Sequence, residues 1–252
     1  MAPHTVVLTG ASGSLGAVIL SQLLAQKHNV NAVLRSFTKS RAFLEDKYAA
    51  AVRDGQLTFT EIPDMTVAHV FDDVASTASA FLHVATPVDY SDFENSVIKP
   101  AFKITDNVLR AAAASATLKR VVITGSVVAT MRVPNDMASG RTISEADFNP
   151  IPRAEASADV RGAYQYSKVS TEQEAWKFMD REKPGFDLVI LLIPSTTGRS
   201  IHEGYKSTKT ELGGISSIYR AVFDVAEPGF MFPYYMYGCN RRFCCGNQRY
   251  PS

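Results

Sequence analysis

The sequence predicts an α/β protein built on a doubly wound, parallel sheet, and three observations carry that expectation. Apolar runs of strand length alternate with segments of helical length along most of the chain. The first run, Thr5–Thr9, enters the turn "TGASGSLG", with glycines three apart at Gly10, Gly13 and Gly16. The later runs "RVVIT" and "FDLVILLI" are almost continuously aliphatic, as strands buried on both faces are. Alternation of this kind builds βαβ units, whose crossover helices let neighbouring strands run parallel.

Taken in order, Thr5–Thr9 is the first strand and Ser14–Lys27, "SLGAVILSQLLAQK", an amphipathic helix opening on the third glycine. Val30–Arg35 is the second strand, Lys39–Ala51 the second helix and Leu57–Ile62 the third strand. A weak helix at His69–Ala75 leads to a fourth strand, Phe81–Ala85. Phe93–Ala114 is a long alanine-rich helix that Pro100 either starts or kinks. Arg120–Thr124 is the fifth strand, Tyr164–Asp180 a helix and Phe186–Ile193 the sixth strand. Met131–Gly162 carries Pro134, Pro150 and Pro152 and no clear period, so it is expected to be a long surface excursion of the kind that serves binding.

Composition excludes more than it assigns. The 252 residues are 46% hydrophobic and 20% charged with a formal net charge of +1, which suits a globular domain and gives no push towards nucleic acid or an anionic membrane. No apolar run approaches the roughly 20 residues that span a bilayer, and the N-terminus runs straight into a strand without the basic region of a signal peptide. Cys239, Cys244 and Cys245 all lie near the end of the chain, beyond the last histidine, His202. No metal site is expected from that spacing, and free thiols in a cytoplasmic protein are.

The glycine turn follows a strand and opens a helix inside a βαβ unit, the context that makes it a dinucleotide fingerprint. Gly10 permits the tight turn, Gly13 lets a pyrophosphate approach the backbone, and Gly16 lets the helix pack on the strand. Ser12, Ser14 and Leu15 complete the candidate phosphate contacts, at a helix N-terminus whose N–H groups favour anions. The end of the second strand chooses the cofactor. An acid there would hold a ribose 2′-hydroxyl, whereas this chain has Arg35 and Lys39 and no acid until Glu45, which favours a 2′-phosphate and hence NADPH over NADH. Asp64 and Met65, after the third strand, are candidates for the adenine ring, although an acid in a "PD" turn also serves plain turn chemistry.

The segment "YQYSK" places Tyr164 and Lys168 at i and i+4, on one helix face. An ammonium beside a phenol favours the phenolate, so Tyr164 becomes a workable general acid for a carbonyl oxygen that receives a hydride. Tyr166, two residues on, faces away from Lys168. Ser126 follows the fifth strand at its C-terminal end, where open parallel sheets bind ligands, and its hydroxyl can hold the substrate carbonyl against Tyr164.

The ordered set "TGASGSLG", "LHVATP", "RVVITGS" and "YQYSK" resembles the extended short-chain dehydrogenase/reductase family, in the branch of dihydroflavonol reductases, cinnamoyl-CoA reductases and fungal aldehyde or ketone reductases. The resemblance runs from about Thr5 to Ile193. It implies a Rossmann fold, NADPH, reversible reduction of a ketone or aldehyde to an alcohol, and a triad of Ser126, Tyr164 and Lys168. It further implies that Lys168 also binds the nicotinamide ribose, that Val84, Ala85 and Thr86 line the cofactor, and that Pro194 and Thr196 lie near the nicotinamide. The family pattern divides the chain into a cofactor-binding domain at 1–194, a partial substrate region at 195–236 and an atypical tail at 237–252. That tail, rich in Cys and Arg, departs from the family and is expected to be foreign to the fold. Two other functions stay open: an NAD-dependent nucleotide-sugar epimerase or dehydratase, and an NADPH-binding chain with little or no turnover. The expected partner is a small carbonyl or alcohol substrate, the expected assembly a monomer or homodimer.

Overall fold

The computed structural model describes residues 4–86, 92–132, 136, 139–197 and 234–236. Six strands form one parallel sheet: β1 (Thr5–Thr9), β2 (Asn29–Leu34), β3 (Leu57–Glu61), β4 (Ala80–His83), β5 (Arg120–Thr124) and β6 (Asp187–Leu191). Their spatial order is β3-β2-β1-β4-β5-β6, so the direction of winding reverses between β1 and β4. Thr9 pairs with His83 across that reversal, at the C-terminal edge where such sheets bind ligands.

Side-chain alternation along each strand feeds two separate cores. Val7 and Leu8 are adjacent and fully buried, yet they join different clusters. Leu8 packs with Leu20, Leu24 and Leu44 of helices α1 (Ser14–Ala25) and α2 (Phe37–Lys47). Val7 packs on the other face with Phe71, Phe81, Val108 and Phe178. That face is covered by α4 (Asp72–Ser76), α5 (Lys99–Ala114) and α6 (Val160–Glu182).

Several elements start or stop elsewhere than the pattern predicts. The second helix ends at Lys47, and α3 (Ala49–Arg53) begins after Tyr48, which caps both. His69 adopts a left-handed φ of 64°, which delays the weak helix to Asp72. Pro100 starts α5 rather than kinking it. Its nitrogen has no hydrogen for Ser96, and the preceding turn, Phe93–Ile98, is wound as a π-helix. Helix α6 begins at Val160, four residues before Tyr164, because the Asp159 carboxylate accepts the Gly162 N–H at 2.7 Å.

The expected excursion is only partly a surface feature. Asn149, Ile151 and Ala156 within it are buried. Asn149 donates to the carbonyls of Val128 and Met131 and to Gln165, and accepts the Ile151 N–H. A short 3-10 turn, Arg153–Ser157, follows, and α6 packs so closely on it that a Cβ at Gly162 would overlap the Glu155 carbonyl oxygen.

The chain divides into two units, Met1–Ile193 and Pro194–Ser252. In the second, β7 (Ser195–Thr197) pairs in parallel with β8 (Tyr234–Met236). The expectation for the tail at 237–252, and with it the three cysteines, lies outside the described residues.

Candidate functional site

The glycine turn is built by close backbone approach. Gly10 has φ of +76°, a conformation that strains any residue with a Cβ. A Cβ there would also stand 2.8 Å from the Ala85 nitrogen, so the turn is seated directly on the end of β4. A Cβ at Gly16 would overlap the Gly10 carbonyl oxygen and lie 2.6 Å from its carbon. Gly16 therefore lets α1 pack on the turn itself, a closer contact than helix on strand. Gly13 is the N-cap of α1 and brings no side-chain acceptor to the first-turn N–H groups. Ser12, Gly13 and Ser14 are exposed, and Leu15 is half-buried beside them. An uncapped helix N-terminus with a bare glycine surface fits a pyrophosphate.

At the end of β2, Arg35 and Lys39 are both exposed. The structure adds an acid that the sequence spacing hides. Glu61, at the end of β3, pairs in register with Leu34, and its carboxylate accepts the Phe37 N–H at 2.6 Å. The end of β2 thus carries two exposed cations, with one carboxylate reaching it from β3. Asp64 is engaged in its own turn, accepting the N–H and the hydroxyl of Thr66 at 2.8 and 2.7 Å. Those bonds hold its carboxyl below the usual carboxylate range. Met65 packs against the core, and its carbonyl accepts from Asn107.

Lys168 is the centre of the site. Its ammonium donates to Thr86 Oγ1 at 3.2 Å and to the Thr124 carbonyl at 3.1 Å, which ties α6 to the ends of β4 and β5. It stands 5.8 Å from the centroid of the Tyr164 ring. Loss of hydration pushes its pKa down to about 8, against the opposing pull of Glu172 one helical turn on. Ser126, two residues past Thr124, is 6% exposed and caps a short 3-10 turn by accepting the Val128 N–H at 3.4 Å. Tyr166 turns the other way, packing under the Arg153 guanidinium at 5.2 Å.

Beneath Lys168 lies His83, buried and paired with Thr9 at 2.9 Å. The Thr9 hydroxyl already accepts the N–H groups of Val84 and Ala85, so its own proton goes to His83 Nδ1. The histidine is then the neutral form with its proton on Nε2. Burial first, and the Lys168 charge second, push its pKa down to about 3. This network fixes the Val84 and Ala85 backbone that meets Gly10, next to the Thr86 hydroxyl that meets Lys168.

The NAD dependent epimerase/dehydratase family model matches residues 6–225, most of the chain. The chain belongs to the NAD dependent epimerase/dehydratase family. This member of it is 33% identical over 226 residues to ketoreductase CTB6 of Cercospora beticola, covering 86% of this chain and 62% of that one. It is 32% identical over 201 residues to aldehyde reductase 2 of Sporidiobolus salmonicolor, covering 77% of this chain and 57% of that one. The chain therefore spans less than two thirds of either relative. Among solved structures, Candida albicans Gre2 in complex with NADPH superposes with a TM-score of 0.73 at 27% identity, over 86% of this chain and 66% of that one.

Within this family member the structure brings together Gly10, Gly13, Gly16, Val84, Ala85 and Thr86 on one side, and Tyr164, Lys168 and Thr124 at the end of β5 on the other, with Ser126 two residues further along the chain. Arg35 and Lys39 lie apart, at the edge towards β3. Pro194 and Thr196 belong to the second unit. Sequence reasoning missed His83, Glu61 and Glu172. Only Glu172 left a signal, being one further helical step of four from Lys168.

Proposed function

We propose that this chain is an NADPH-dependent carbonyl reductase that converts a ketone or aldehyde into an alcohol. The observation that carries the reading is the Lys168 ammonium, held between Thr86 and the Thr124 carbonyl beside the Tyr164 ring. The relatives named as a ketoreductase and an aldehyde reductase, and the neighbour solved with NADPH, support the same reading.

Gly10, Ser12, Gly13, Ser14, Leu15 and Gly16 would hold the pyrophosphate, with Arg35 and Lys39 at the 2′-phosphate and Val84–Thr86 along the cofactor. Asp64 would act through its turn, and Met65, Pro194 and Thr196 remain candidate contacts. NADPH, when bound, supplies the hydride for the carbonyl carbon. The Ser126 oxygen accepts the Val128 N–H, which leaves its own proton to donate to the substrate oxygen. Tyr164 gives that oxygen its phenolic proton as the alcohol forms. Lys168 steadies the resulting phenolate and returns a proton to it. A lysine with a pKa of about 8 surrenders its proton near neutrality far more readily than one at its ordinary value of 10.5.

Glu61 is the observation that favours the alternative, an enzyme using NAD, because a carboxylate at the end of β3 opposes a phosphate. Titrating the protein with NADPH and with NADH, followed by cofactor fluorescence, separates the two. The reductase reading expects tighter binding of NADPH. Preference for NADH, or nicotinamide retained through purification, would favour the alternative.

A further inference from the structure

Tyr164, Lys168 and Glu172 recur every four residues along α6, and Trp176 continues the column. Side chains at that spacing lie one above another on a single helix face. Glu172 is only 7% exposed. Trp176, itself 39% exposed, stands beside its carboxylate, while Oε2 is buried without a partner among the described residues. A buried acceptor left bare costs about 1–3 kcal/mol, so a solvent molecule or a proton is required there.

The space for it exists. A cavity of about 40 Å³ lies between the sheet, α5 and α6, with Lys168, Glu172, His83, Thr86, Thr105 and Thr171 on its wall. One water needs about 10–15 Å³, so the cavity accommodates more than one, with hydroxyls to bind them. Among the described residues of this wall, Lys168, His83 and Glu172 are the groups that titrate. His83 is locked neutral by Thr9, so the proton traffic of the cavity falls to the other two.

We propose that Glu172 acts through Lys168 as a positioning and proton-supply residue, which passes a solvent proton to the lysine by way of cavity water. In the reductive direction the Lys168 ammonium gives a proton to the Tyr164 phenolate, so one N–H bond breaks and one O–H bond forms. The neutral amine then takes a proton from a cavity water, which takes one from the Glu172 carboxyl. The carboxylate left behind is protonated again from solvent at its Trp176 end. Each turnover moves one proton inwards and nothing is oxidised or reduced along the way. Burial raises the carboxyl above its ordinary value, which makes it a better proton acceptor at working pH.

The turnover part of this inference rests on the carbonyl-reductase reading, and the test separates the two. In the full chain without cofactor, infrared difference spectra against pH report the carboxyl band lost in Glu172→Gln. The band is expected to titrate above the ordinary carboxylate range in the wild type and higher still in Lys168→Met. Titration in the ordinary range, unmoved by Lys168→Met, would overturn the proposal whether or not the chain reduces carbonyls. In turnover, Glu172→Gln is expected to lower kcat by about 10²-fold, the lower end for a positioned proton-transfer group, with KM unchanged. The solvent isotope effect should grow, Glu172→Asp should recover part of the rate, and formate should rescue Glu172→Ala. Unchanged kcat and isotope effect in a folded Glu172→Gln would also overturn it. Absence of turnover in the wild type would refute the reductase reading and leave the infrared result to decide this one.

Discussion

Replacing Lys168 with methionine should stabilise the protein near neutrality and destabilise it in alkali. The folded chain holds this lysine at a pKa of about 8 against 10.5 when unfolded. A lowered lysine pKa means that the unfolded chain binds the proton more tightly. The charged form therefore opposes folding at any pH below about 8, and the opposition fades as pH rises towards 10.5. That gap corresponds to about 3 kcal/mol at pH 7. Against it stand the hydrogen bonds to Thr86 and Thr124 that methionine cannot make, at about 1 kcal/mol each. The net expectation is a gain of about 1–2 kcal/mol at pH 7 and a loss of similar size near pH 10.5. Urea unfolding of both proteins at matched pH values measures this, since titrating groups remote from Lys168 cancel in the difference. A stability difference that stays constant from pH 7 to 10.5 would refute the reasoning, because it would mean that the lysine is not desolvated.

Two further substitutions test the cofactor end. Gly16→Ala puts a methyl group into the Gly10 carbonyl, and should cost about 1–3 kcal/mol in urea unfolding while weakening NADPH binding. Arg35→Ala removes an exposed cation one residue past Leu34, the register partner of Glu61. It should weaken NADPH by about tenfold or more, the worth of a charge-assisted hydrogen bond, and leave NADH within about twofold, as isothermal titration would report.

Much of the fold could be read because its signals are local. Glycines at 10, 13 and 16 and the aliphatic strands specify turn and sheet within a few residues. Helix ends were less legible, since they depend on single backbone events such as the left-handed His69 or the Asp159 cap. What the sequence could not show was long-range approach. Glu61 reaches Phe37 across 24 residues, and Thr9 reaches His83 across 74, both through strand pairing. Glu172 was visible as a helical step from Lys168, yet a glutamate on a charged helix reads as solvated until its burial is known.

The measurement that bears most directly on the account is carbonyl-dependent oxidation of NADPH by the wild type and by Tyr164→Phe, with NADPH affinity measured on both. The ring of Tyr164 lies beside the Lys168 ammonium, and the substitution removes only its hydroxyl. The account predicts turnover in the wild type, a loss of about 10²–10⁴-fold in the variant, and NADPH affinity that stays within about twofold, since the loss concerns a proton donor rather than a cofactor contact. Undiminished turnover in Tyr164→Phe would contradict it.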